Sequence, residues 1–107
     1  VETPPGARLL HVSGQVGNDL SGHLPEESIQ QNEQAWHNIF AILQAADMDK
    51  DDIVEVLAIV RDHDEVATYR TVRDRMLNGH QCASTMLVCG LASPAWKVEI
   101  AVRAAKS

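Results

Sequence analysis

The amino-acid sequence predicts an α/β (α+β) fold in which two helices cover one face of a mixed sheet. Three observations lead there. Two segments repeat apolar residues at helical spacing, several short runs are rich in β-branched and apolar residues, and Gly, Pro or Asn-Gly punctuation separates them. The order is β, α, β, α, β, β. A chain of 107 residues, 45% of them hydrophobic, supports one domain spanning residues 1–107 and leaves no room for a second.

The opening segment, Val1 to Ala7, carries Pro4, Pro5 and Gly6 and reads as an extended lead-in. Arg8 to Val16 (RLLHVSGQV) has strand character and ends at the turn signal Gly17, Asn18, Asp19. Pro25, Glu26 and Glu27 then suit the first turn of a helix, one through its fixed φ and the others through the helix dipole. From Glu26 to Ala46, Ile29, Trp36, Phe40 and Leu43 form an apolar stripe widened by Ile39 and Ile42, with Gln30, Gln31, Gln34 and Gln44 expected on the outer face. A polar connector, Asp47 to Asp52, leads to Ile53 to Val60 (IVEVLAIV), a run typical of a strand covered on both faces. Val66, Tyr69, Val72 and Met76 place a second helix over Asp64 to Leu77, which Asn78 and Gly79 close. Ser84 to Leu91 and Trp96 to Val102 read as the last two strands, joined through Ser93 and Pro94 and expected to pair as an antiparallel hairpin. A sheet with helices on one side leaves its other face bare, so a partner subunit is the expected cover.

Composition excludes some function classes. Nine Lys and Arg against fifteen Asp and Glu give a net charge of −6, which disfavours a phosphate backbone and makes nucleic acid an unlikely partner. No apolar stretch approaches the ~18 to 20 residues that span a bilayer. No membrane contact and no secretory signal are expected, and with only Cys82 and Cys89 present, a reducing cytoplasm is the simpler setting.

Few residues carry chemistry. The acidic run Asp47 to Asp52 opens like a calcium loop, but Asp52 stands where the sharp-turn glycine belongs and Ala58 where the closing glutamate belongs, so it reads as a solvated connector. His11, His23, His37, His63 and His80 show no zinc-ligand spacing. Ser13, Gly14 and Gln15 lack the flanks of a nucleophile elbow; Gly14 is either a strand kink or close backbone approach, or part of a hydroxyl and amide cluster suited to a carboxylate or carbonyl. Glu99 alternates with Val98 and Ile100, which makes it either the wet side of the sheet or a cleft carboxylate.

Taken together, Val12 to Val16 (VSGQV), Gln34 to Ala46 (QAWHNIFAILQAA), Asp52 to Val56 (DIVEV) and Val98 to Ile100 (VEI) resemble the YjgF/Rid family, also called the reactive intermediate deaminase, translation initiation inhibitor or endoribonuclease L-PSP family. The likeness runs from Leu10 to Arg103 in order and spacing. It implies a chorismate-mutase-like fold that assembles as a homotrimer, with a small-molecule cleft at each subunit boundary. It also implies hydrolysis of enamines and imines derived from amino acids, without metal or organic cofactor. In such members an arginine grips the substrate carboxylate and a glutamate near the end positions or activates water.

On this resemblance Glu99 matches the catalytic glutamate, Ser13 the cleft serine with Gly14 beside it, and Ser84 and Thr85 the strand start that lines the cleft. Gln81 to Thr85 (QCAST) departs from the Pro-Ala-Arg-Ser pattern, with Ala83 in the arginine's place. Arg70 stands where the family has a cleft asparagine, and the cleft tyrosine would fall before Val1. Losing a bidentate guanidinium costs at least ~10-fold in affinity for an imino acid. The expectation is therefore a small-molecule-binding homotrimer whose cleft takes a carbonyl, carboxylate or imine compound. The alternative is an enamine/imine deaminase in which Arg70 or Arg103 supplies the missing cation, unless both are simply surface arginines.

Overall fold

The computed structural model describes residues 1–107. The elements are β1 (Arg8–Gln15), α1 (Ser28–Ala45), β2 (Ile53–Val60), α2 (Val66–Leu77), β3 (Ala83–Val88) and β4 (Val98–Lys106), with short 3-10 turns at Lys50–Asp52 and His63–Glu65. The expected order is present. β2 occupies the predicted residues, and α2 ends where Asn78 and Gly79 turn left-handed, at φ 46° and 88°. The acidic connector forms a reciprocal cap, in which the Asp49 side chain accepts from Asp51 N and Asp52 from Asp49 N.

The sheet order is β1-β4-β2-β3. β4 runs antiparallel to both β1 and β2, whereas β3 lies parallel to β2. The expected β3–β4 hairpin is therefore absent. After the β2–α2–β3 crossover seats β3 on the outer edge, the chain from Cys89 to Lys97 is long enough to pass β2 and insert β4 at the centre. Placed between β1 and β2, β4 forms two antiparallel ladders.

Alternation decides the two faces of the sheet. Val12, Val56, Ala58, Val60, Val98, Ile100 and Val102 join Trp36, Ile39, Leu43, Tyr69 and Val72 in one buried cluster, so both helices lie on that side. On the other side Leu9, Leu57 and Leu87 stay exposed. β2 is thus covered on one face within the chain, not on both as its apolar run suggests.

The stripe of α1 also differs from expectation. Gln31 and Asn32 are buried with Ala35, Trp36, Ile39 and Leu43, while Ile29 is exposed. Gln31 is inside because its amide is fully used. Its Nε2 donates to Pro25 O at 2.9 Å and Ala95 O at 3.2 Å, and its Oε1 accepts from Lys97 N at 2.9 Å. That clamp fixes the start of β4 and hence the position of Glu99.

Candidate functional site

A bulge in β1 builds the site. Val12 faces Val102 and Gln15 faces Ile100, so Ser13 and Gly14 together oppose the single residue Ala101. Glu99, on β4 between the buried Val98 and Ile100, extends its side chain on the open side and over Gly14. A Cβ at Gly14 would sit 2.7 Å from Glu99 Cδ and 2.8 Å from Cγ. Only glycine leaves the carboxylate this place. None of the ion pairs in the chain involves Glu99, and Ser13 is exposed beside it.

Register places the remaining residues. Thr85 pairs with Leu57, which pairs with Ala101, so Thr85 shares the open face with Glu99 and Ser13. It stands on β3, however, and β1 is three strands away, a separation of roughly 14 Å at ~4.8 Å per strand. One protomer holds the two groups at opposite edges of one face. Ser84 pairs with the buried Val56 and points to the helix side, where it lines a cavity of about 450 Å³ with Arg73, His80 and Cys82. Arg70 is exposed on α2, next to the buried Tyr69, and is not brought to Glu99 within the chain.

The open face holds two smaller hollows. One, of about 220 Å³, is lined by His11, Ser13, Glu55, Leu57, Ala101 and Arg103 among others. The other, of about 280 Å³, shares His11, Glu55 and Arg103 and reaches Ala83. Arg103 lies 3.2 Å from Glu55 through Nη1 and Oε1. No cluster of three His, Cys, Asp or Glu side chains converges in a way that would hold a metal ion, and no helix is long and apolar enough to cross a membrane.

The two cysteines are free. Burial pushes the Cys82 thiol above its ordinary value, a shift only partly opposed by the Arg73 guanidinium, so this side chain is a poor nucleophile. Sequence reasoning missed two positioning residues. Gln31 was hidden by its polarity, although its spacing of four from Ala35 and eight from Ile39 matches the buried stripe. Asn38 donates from Nδ2 to Val16 O at 3.1 Å and Asn18 O at 2.9 Å, holding the end of the bulged strand against α1.

The profile of the endoribonuclease L-PSP family matches residues 6–106. Among solved structures, NMB1025 of Neisseria meningitidis, a member of the YjgF protein family, is similar with a TM-score of 0.83 at 26% identity, over 92% of this chain and 80% of that one. YyfB of Yersinia pestis, of the conserved Rid protein family, is similar with a TM-score of 0.80 at 25% identity, over 92% and 79%. TdcF of E. coli, solved with bound serine, superposes with a TM-score of 0.87 at 22% identity, over 97% and 84%. Comparison with curated proteins gave no significant match.

Proposed function

Because this chain belongs to the endoribonuclease L-PSP family, that of the YjgF and Rid proteins, we propose that it binds a small carbonyl, carboxylate or imine compound in a cleft between copies of itself. The observation that carries this reading is the Glu99 carboxylate lying over Gly14 at the β1 bulge, beside the exposed Ser13. A glycine kept free of a side chain so that an acid can lie on it is costly for a strand, and it has a use where that acid meets a ligand. The opposite placement of Thr85 supports the intersubunit cleft. β1 and β3 are the two edges of the sheet, so a neighbouring subunit can bring its Thr85 edge up to the Ser13 edge, which within one copy lies on the far side of the sheet. A closed ring of three copies would bring each β3 edge to the next β1 edge and cover Leu9, Leu57 and Leu87. TdcF, which shares the fold, holds serine, a compound of the proposed size.

The experiment is a crystal soak with small 2-oxo acids, together with sedimentation at several protein concentrations. Density between Glu99 of one copy and Thr85 of the next, in a trimer, is the expected result. A stable lone protomer in dilute solution would remove the cleft.

A second reading has its own support, since the unpaired Glu99 is free to handle water. In that case the protein hydrolyses an enamine or imine to the 2-oxo acid and ammonia. Ammonia release from freshly generated 2-iminobutyrate tests it: acceleration over buffer that Glu99→Gln abolishes is expected, and no acceleration sinks it for that substrate. Ala83→Arg adds the side chain that the family pattern places there, and no gain in that variant would mean its absence is not the limiting factor. RNA is the least supported ligand, because the net charge of −6 opposes it. Tight RNA binding in a low-salt shift assay would reverse that order.

A further inference from the structure

We propose that Asn18 and Trp96 are a positioning pair, whose single side-chain hydrogen bond holds the bulged end of β1 against the start of β4 and so sets where Glu99 lies over Gly14. What Glu99 then does to a ligand rests on the function proposed above; the pair itself is built within one chain.

The ladder between β1 and β4 ends at Gln15, opposite Ile100, directly after the bulge. A bulge this close to the end of a ladder keeps its register only if the chain beyond it is held, and a slip of one residue would carry Gly14 away from Glu99. Side chains do that holding. Asn38 of α1 donates from Nδ2 to Val16 O and Asn18 O, and its Oδ1 accepts from Gln34 Nε2 at 2.9 Å, so its amide is fully occupied. Gln31 holds the β4 side through Ala95 O and Lys97 N, and Lys97 O accepts from Arg61 N at 3.0 Å.

Those two anchors secure each segment to α1 separately. One side-chain hydrogen bond joins the segments to each other: Trp96 Nε1 donates to Asn18 Oδ1 at 3.2 Å. Asn18 is prepared for it, because its Nδ2 donates to Gly22 O at 3.0 Å and turns the carbonyl end of the amide toward the indole. Asn18 follows Gly14 and Trp96 precedes Glu99 by only a few residues, so a change in their separation passes along two short, extended stretches to the carboxylate. A neutral bond of this length adds little to folding. Its consequence is geometric, since a small displacement of a ligand-contacting group is felt strongly in binding.

Calorimetric titration of 2-oxobutyrate into the wild type, Trp96→Phe, Asn18→Leu and Asn18→Asp tests this, with Glu99→Gln as a second background and sedimentation of each variant alongside. Trp96→Phe and Asn18→Leu should each weaken binding by about 5- to 10-fold, and together no further than either alone. Asn18→Asp keeps the acceptor for the indole and should stay within about 2-fold of the wild type. In the Glu99→Gln background Trp96→Phe should change affinity by less than about 2-fold, because the group it positions is gone; a merely structural role would cost the same in both backgrounds. Wild-type affinity in Trp96→Phe, or a loss of equal size in both backgrounds, overturns the positioning role and leaves the cleft standing. If Trp96→Phe does not fold, or Glu99→Gln binds too weakly to titrate, Asn18→Leu against Asn18→Asp decides, and equal affinities overturn it. Failure of the wild type to bind overturns the proposed function for this ligand class, and the positioning role with it.

Discussion

The two faces of the sheet are made from the same strands and follow opposite rules. On β4, Val98, Ile100 and Val102 are sealed under the helices, while Glu99, Ala101 and Arg103 alternate with them on the open side. The covered face spends apolar residues on cohesion. The open face keeps a carboxylate over a glycine, an ion pair and leucines as exposed as Leu87, at 48%. A strand's period of two lets one segment hold the core and present chemistry, so substitutions one residue apart should have unlike consequences.

Trp36→Ala should separate the faces most widely. Trp36 is fully buried and packs against Phe40 with ring centroids 5.9 Å apart. Its loss should cost about 3–5 kcal/mol in urea unfolding. Leu57→Ala on the open face should cost under about 1 kcal/mol in dilute protein. Equal costs would mean that the open face is already covered under those conditions.

Alkaline titration sharpens the same contrast. Burial among the helices pushes the Tyr69 phenol up to about 12, from an ordinary value of 10.0, with Arg73 opposing the shift. The folded state thus holds the proton more tightly than the unfolded chain. That stabilisation is whole below pH ~10 and lost as the pH rises through about 12, an effect of ~2–3 kcal/mol for a shift of this size. Urea midpoints measured from pH 9 to 12 should fall in the wild type and stay flatter in Tyr69→Phe.

Much of this fold could be read from the sequence, because periodicity reports burial directly. Val66, Tyr69 and Val72 mark α2, and the Ile53 to Val60 run marks β2 to the residue. Strand order was less legible. Local pattern cannot say whether β4 folds back on β3 or passes β2, since both arrangements bury Val98, Ile100 and Val102 alike. At the site, Gly14 and Glu99 were each visible as candidates, but their contact depends on a bulge that one extra residue in β1 creates. Ser84 and Thr85, adjacent in sequence, fall on opposite faces because β3 alternates like any strand.

Two glycines, three residues apart, bring the contrast to its finest point. An added Cβ at Gly17 would lie 2.7 Å from Gln31 Cα and 2.9 Å from its carbonyl oxygen, backbone atoms of α1 that cannot turn aside. Gly17→Ala should therefore cost about 1–3 kcal/mol in stability and loosen the Gln31 clamp on β4. At Gly14 the obstacle is the Glu99 side chain, which can swing away into open space. Gly14→Ala should change the unfolding free energy by less than ~1 kcal/mol, yet weaken 2-oxobutyrate binding by about 10-fold as the carboxylate leaves its place over the bulge. Paired urea melts and calorimetry on the two variants read both quantities. A Gly14→Ala protein that binds as the wild type does would show that the position of Glu99 over β1 is incidental to the ligand.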